Sequence, residues 1–225
     1  IASLGMGNMV QGNSMAKGLE TAFGIPPFIT GSACMILLAV IVTGGVKRVA
    51  ALTEKLVPCM AGIYLLGALA VLAANWQAVP KALEMIFTQA FQIRAGVGGA
   101  AGYTVRQALR MGVARGIFSN EAGLGSSVMA HVQSDVESPQ IQGMWGMLEV
   151  FIDTMVGCTV TALVILVSGV YQPELYLDQI SRGIEPVDGT TLTGQAFAAV
   201  IPWGAQFLAA ATALFAFATI AGWSY

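Results

Sequence analysis

Two amide side chains lie in a glycine-rich stretch near the start of the chain, where the surrounding residues are mostly apolar. Asn8 and Gln11 stand among Gly5, Gly7 and Gly12. Amides are costly in hydrocarbon unless they are paired, and each can both donate and accept hydrogen bonds. The stretch allows two interpretations: a site for a polar substrate or an ion, or close helix packing in which the amides bond between helices.

A second polar segment, FSNEAG at 118–123, lies between apolar stretches. An unwound turn at membrane depth frees carbonyl groups to coordinate Na⁺ and N–H groups to hold a carboxylate. Phe118 could form the wall of a small pocket, and an ionisable Glu121 near a membrane span indicates a functional site. The alternative is a cytoplasmic loop with a solvated glutamate. The alternation of glycines and polar groups favours the functional interpretation.

Two further pairs have the i, i+4 spacing that places both side chains on one helix face. Glu149 and Asp153 could pair with the arginines between 106 and 115 or relay protons, and we favour ion pairing. Thr219 could offer its hydroxyl to Na⁺, and Trp223 could close an apolar pocket. Taken alone, this second pair favours a structural role, because helix-bonded threonines and interfacial tryptophans are common.

Other chemistries find little support in the sequence. His131 is the single histidine, without visible catalytic or metal-binding partners, and the three cysteines are far apart. No His-Glu-x-x-His motif is present. The net charge of −2 gives no basic patch for nucleic acid. We therefore predict that the protein is not an enzyme and uses no cofactor or transition metal.

The composition indicates an all-α polytopic membrane protein whose solvent is the lipid bilayer. Of 225 residues, 56% are hydrophobic and 10% are charged, whereas soluble domains carry about 25% charged residues. A helix crosses a bilayer core with about 20 apolar residues. We predict four such spans, at 28–46, 56–74, 143–171 and 204–225.

The intervening segments complete the predicted architecture. A helix over 1–22 should break at 24–27, an amphipathic interfacial helix should cover 76–94, and a short membrane-surface helix should cover 191–201. The glycine-punctuated segment 103–133 should be a broken helix, which in transporters marks substrate and ion sites. Basic residues mark cytoplasmic loops, so the lysines and arginine of 47–55 place that predicted loop in the cytoplasm.

Five motifs make the chain resemble the alanine or glycine:cation symporters, also called the sodium:alanine symporter family, of the amino acid–polyamine–organocation superfamily. They occur in one order along the chain: GMGNMVQGNS, GGVKRVA, EKLVP, GVARGIFSNEAGLGSS and QGMWGMLEVFIDT. The resemblance implies the leucine-transporter-like fold, a five-plus-five inverted repeat of which this chain would hold about helices 3 to 8. It implies one transmembrane domain over 1–225, truncated at both ends and unable to transport alone.

The resemblance also implies a function: symport of alanine or glycine with Na⁺, or with H⁺, across a bacterial or archaeal plasma membrane by alternating access. It places seven residues at the substrate pocket: Gln11, Asn8, Phe118, Ser119, Asn120, Thr219 and Trp223. Of these, Thr219, Ser119 and Asn120 would also contact the ion. A transporter of another small solute on the same fold is the main alternative, and a channel is a further one.

Overall fold

The computed structural model describes residues 5–91, 100–121, 125–132, 134–172 and 189–224, with residues 175, 179 and 182. Over these residues the regular secondary structure is helical, as predicted. The helices are α1 (Met6–Phe23), α2 (Pro27–Val42), α3 (Val46–Ala74), α4 (Val79–Phe91), α5 (Ala100–Ser119), α6 (Ser126–His131), α7 (Pro139–Phe151), α8 (Thr159–Val167), α9 (Gly189–Ala198) and α10 (Gly204–Trp223). A 3₁₀ turn (Trp76–Ala78) precedes α4, and a π-helical segment (Ile152–Cys158) joins α7 to α8.

Among the described residues, three helical runs are long and apolar enough to cross a membrane. They are Arg48–Ala74, Pro139–Val167 and Gly204–Trp223. These runs cover most of the predicted spans 56–74, 143–171 and 204–225. The remaining predicted span, 28–46, is longer than the helix found there, because α2 ends at Val42 after 16 residues.

The end of α2 has a local cause. Gly45 has a left-handed φ of 75°, which a residue with a Cβ rarely adopts. The last carbonyls of α2 still receive donors: Thr43 Oγ1 donates to Ala39 O at 2.8 Å, and Arg48 Nη1 donates to Val40 O at 3.3 Å. The helix therefore ends with part of its carbonyl set satisfied by side chains.

The predicted loop at 47–55 is wrong in its conformation, because these residues belong to α3. Alanine, leucine, glutamate and lysine dominate this stretch, and all four have high helix propensity. Pro58 consequently lies inside the helix and not in its first turn. The predicted cytoplasmic side of 47–55 stays a prediction.

Other boundaries agree with the sequence or shift by a few residues. The break at 24–27 is confirmed, with Gly24 left-handed at φ 68°. The helix predicted at 76–94 is found as the 3₁₀ turn and α4, and residues 92–94 lie outside the described residues. The predicted 191–201 helix is α9, which ends before Pro202. Ser138 caps α7 by accepting a hydrogen bond from Ile141 N.

The chain divides into two compact units. The first comprises Ile1–Val79 with Val160–Tyr225, and the second comprises Pro80–Thr159. In the first unit α10 packs along α1, and its buried core includes Met15, Ala216 and Ile220. Small side chains on α10 suit such close approach in a membrane protein.

A second cluster in the first unit is aromatic. Phe197 of α9 is fully buried, and its ring lies 5.9 Å from those of Tyr64 and Phe207. The Tyr64 hydroxyl is 2.5 Å from Thr161 Oγ1 of α8. Gly204 makes this packing possible, because a Cβ there would lie 2.5 Å from the Phe197 carbonyl oxygen. This cluster holds α3, α8, α9 and α10 together.

Candidate functional site

The first polar centre joins the N-terminal end of α1 to the C-terminal end of α10. Asn8 Nδ2 donates to Ser224 Oγ at 3.1 Å. One residue earlier, Gly7 is buried, and a Cβ at this position would overlap ring atoms Cε3 and Cζ3 of Trp223. The absence of a side chain at Gly7 thus lets the indole lie against the backbone of α1.

The carboxamide of Asn8 is only half satisfied. Its amide nitrogen bonds Ser224, but its Oδ1 is buried and has no hydrogen-bond partner among the described residues. A buried acceptor left without a donor costs about 1–3 kcal/mol. Such an atom is suited to a donor or cation supplied by a ligand.

The two other predicted residues of the first unit lie near this centre in sequence. Gln11 is half-buried and follows Gly7 and Asn8 by four and three residues, which places it on their helix face. Thr219 precedes Trp223 by four residues on α10. Its hydroxyl donates to Phe215 O at 2.9 Å, so its proton is used within the helix while its oxygen lone pairs can still face a cation.

The second polar centre is the predicted helix break. α5 ends at Ser119, and Glu121 follows with a φ of 53°, the one left-handed non-glycine residue in the described part of the chain. Gly125 is also left-handed at φ 90°; residues 122–124 lie outside the described residues. Left-handed backbone at a residue with a Cβ costs about 1–3 kcal/mol and is concentrated at functional sites.

The two residues at this break are held by the π-helical segment. Ser119 Oγ donates to Asp153 Oδ2 at 2.5 Å, and Thr154 Oγ1 donates to Asn120 Oδ1 at 3.0 Å. Consecutive residues of one segment therefore bond consecutive residues of the other. Single π-helical turns inside α-helices are rare and often occur at functional sites.

Glu149 and Asp153 have partners other than Arg110 and Arg115, and the side chain of the third predicted partner, Arg106, lies outside the described residues. Asp153 bonds Ser119, and Glu149 Oε2 lies 3.8 Å from His131 Nε2. The described side chains show no pairing of Glu149 with an arginine. His131 Nδ1 is also 2.5 Å from Gln142 Nε2, so this histidine, at the end of α6, has contacts with two residues of α7.

The predicted site residues thus fall into two sets. Asn8, Gln11, Thr219 and Trp223 belong to the first compact unit, while Phe118, Ser119 and Asn120 belong to the second. Phe118 is half-buried at the end of α5.

Sequence reasoning missed four residues that touch these sets. Ser224 and Gly7 contact the first set; Asp153, favoured for ion pairing, and Thr154 bind the second. Two signals were available: Gly7 lies in the motif GMGNMVQGNS, and Asp153 and Thr154 end the motif QGMWGMLEVFIDT.

The chemistry of both centres is that of hydroxyl, amide and carboxylate oxygens. Within the described residues there is no group of three or more histidine, cysteine, aspartate or glutamate side chains that could hold a metal ion. Oxygen ligands of this kind suit hard cations and small polar solutes, whereas transition metals favour nitrogen and sulfur.

The helices and the site define the class of the protein. Several apolar helices able to cross a bilayer, with polar residues at a helix break, are typical of multi-pass membrane transporters. The profile of the sodium:alanine symporter family matches residues 1–225. The chain belongs to the sodium:alanine symporter family, which is a family of transporters and not of enzymes.

Individual relatives agree with this family. The sodium/alanine symporter AgcS of Methanococcus maripaludis is 38% identical over 224 residues, which cover 100% of this chain and 47% of that protein. The sodium/proton-dependent alanine carrier protein of Bacillus sp. strain PS3 is 35% identical over 96% of this chain and 48% of its own length. The amino-acid carrier protein AlsT of Bacillus subtilis is 37% identical, covering 96% and 43%. The chain therefore spans about half the length of these relatives.

Proposed function

We propose that the whole protein to which this chain belongs is a secondary active transporter that moves alanine or glycine together with Na⁺ by alternating access. The family and the names of its relatives support cation-coupled amino-acid symport. The observation that carries the proposal is the helix break after Ser119, whose two polar residues are bonded to a π-helical segment. Broken helices of this kind bind substrates and ions in secondary transporters.

The proposed architecture is a leucine-transporter-like five-plus-five inverted repeat in the plasma membrane of a bacterium or archaeon. Residues 1–225 would form part of one transmembrane domain, with 47–55 on the cytoplasmic side. An inward Na⁺ gradient would drive uptake, because each cation moved inward contributes about 2.3 kcal/mol per 100 mV of membrane potential.

Each polar centre, taken by itself, offers groups that suit part of the cargo. The unpaired Oδ1 of Asn8 suits the ammonium group of an amino acid, and Gln11 on the same helix face can donate to the carboxylate. In the same unit Thr219 offers an oxygen to Na⁺, and Trp223 would border the small side chain, so that alanine and glycine both fit and larger side chains are excluded by their size. In the second unit Ser119 and Asn120 offer oxygens to Na⁺, and Phe118 offers an apolar surface to the substrate.

Coupling to H⁺ is a second candidate, supported by Asp153. This carboxylate lies in the helical run Pro139–Val167 that is long enough to cross a membrane and bonds the residue at the helix break. Ionisable groups inside membrane spans commonly serve proton or ion pathways. Dependence of uptake on a pH gradient in the absence of Na⁺ would favour this candidate.

The test is uptake of labelled alanine and glycine by proteoliposomes that contain the whole protein, with and without an inward Na⁺ gradient. Asn8→Ala and Gln11→Ala should each lower uptake at least about tenfold, the effect of about 1.4 kcal/mol. Matched controls are Asn13→Ala and Gln77→Ala, since both residues are exposed. Folded protein that takes up neither amino acid would refute the substrate assignment, and uptake indifferent to Na⁺ would refute sodium coupling.

A further inference from the structure

The indole of Trp223 lies in direct contact with the backbone of α1 at Gly7. A Cβ added to Gly7 would overlap ring atoms Cε3 and Cζ3 and would lie 2.7 Å from Cη2. Alanine is therefore too large at this position unless the ring moves. The glycine fixes how closely the indole approaches α1.

The neighbouring residues hold the same end of α10 in place. Asn8 Nδ2 donates to Ser224 Oγ, and Ser224 Oγ in turn donates to Ile220 O at 2.7 Å. The residue next to the tryptophan is thus tied to α1 by a side-chain hydrogen bond. With the backbone anchored on one side, a displaced indole must move mainly by rotation of its own side chain, away from Gly7.

We infer that Gly7 is a specificity-determining position. It fixes how closely the Trp223 ring approaches α1, and the position of the ring sets the size of the amino acid that is accepted. The inference rests on the proposed function, in which Trp223 borders the substrate side chain. Gln11 follows Gly7 by four residues and therefore lies beside it on the surface of α1, so a ring pushed away from Gly7 enters the space beside the Gln11 amide. The pocket becomes smaller, so kcat/KM falls more for alanine than for glycine.

A purely structural role for Gly7 has a different signature. If the glycine only allowed α1 and α10 to pack, its replacement would lower the amount of folded transporter and reduce all uptake in proportion. The ratio of kcat/KM for alanine to that for glycine would not change. This ratio separates the two roles because both substrates are measured on the same protein.

The experiment compares Gly7→Ala with Gly12→Ala in the whole protein in proteoliposomes. Gly12 lies on the same helix, and a Cβ there would meet no atom within 4 Å. Gly7→Ala should lower the ratio of kcat/KM for alanine to that for glycine about tenfold, the smaller of the effects expected for a misfit of one methylene. Gly12→Ala should leave this ratio unchanged. In a Trp223→Ala background, Gly7→Ala should not change the ratio further, because the ring that the Cβ would displace is absent.

A second variant keeps the inference testable if Gly7→Ala does not fold. Trp223→Phe leaves Gly7 intact and shortens the aromatic wall, so uptake of 2-aminobutyrate relative to alanine should rise about tenfold. An unchanged ratio of 2-aminobutyrate to alanine uptake in Trp223→Phe would overturn the inference. So would equal alanine-to-glycine ratios of kcat/KM in folded Gly7→Ala and Gly12→Ala. Wild-type protein that takes up neither alanine nor glycine would instead refute the proposed function.

Discussion

The hydrogen bonds at the helix break yield a quantitative prediction. Ser119 donates to the carboxylate of Asp153 at 2.5 Å, and hydrogen bonds to charged groups contribute about 1.5–3 kcal/mol in soluble proteins. Ser119 is exposed, and side-chain hydrogen bonds in a membrane protein average about 0.6 kcal/mol with a maximum near 1.7. We expect a coupling energy of about 1–1.5 kcal/mol between these two residues.

The neutral bond from Thr154 to Asn120, 3.0 Å long, should contribute less. It lacks a charged partner, so its coupling energy should be close to the average of about 0.6 kcal/mol. The order of the two coupling energies follows from their charge and length alone.

Double-mutant cycles measure both energies. The variants Ser119→Ala and Asp153→Ala, singly and together, are unfolded in mixed micelles and followed by circular dichroism; the same is done for Asn120→Ala and Thr154→Ala. The control cycle pairs Asp153→Ala with Thr88→Val, because the Thr88 hydroxyl donates to Glu84 O of its own helix. The control should show no coupling. A Ser119–Asp153 coupling within about 0.3 kcal/mol of zero, the usual scatter of additivity, would refute the reasoning.

Three further predictions concern stability, measured by thermal unfolding in one detergent. Gly204→Ala should destabilise the protein by about 1–3 kcal/mol, because its Cβ would meet the backbone of α9. The control Gly62→Ala, with open space around it, should be neutral or stabilising, and equal effects of the two variants would contradict the packing. Tyr64→Phe should lower the free energy of unfolding by about 1 kcal/mol by removing the bond to Thr161, and an unchanged midpoint would show that the bond contributes nothing. Ser138→Ala should lower it by about 0.5–1 kcal/mol through loss of the α7 cap, and no loss would mean that water replaces the cap.

The sequence predicted the helices more accurately than their ends. Charged residues mark where a chain leaves lipid, but they do not stop a helix. The segment 47–55 shows this: its lysines and glutamate are good helix formers, so α3 runs through it. The end of α5 at Ser119 was predictable, because the glycines and polar residues that follow in the sequence have low helix propensity.

The partners of the site residues could not be predicted. Asn8 bonds a residue 216 positions away, and Ser119 and Asn120 each bond a residue 34 positions away. Residue type identifies such side chains as polar groups that need partners, but only the packing of the helices selects the partner. The π-helical turn at Ile152–Cys158 contains Asp153 and Gly157, but neither residue type distinguishes a π-helical turn from an ordinary α-helix.

The length of α2 also bears on the membrane in which the protein works. Its 16 residues cover about 24 Å at 1.5 Å per residue, whereas a typical hydrocarbon core is about 30 Å thick. Arg48, which donates to the last turn of α2, carries a charge that belongs at the headgroup level. If α2 crosses the bilayer, the acyl chains beside it must compress or the headgroups must move inward, a hydrophobic mismatch with a small cost for each ångström. Reconstitution in short-chain lipids would relieve that cost.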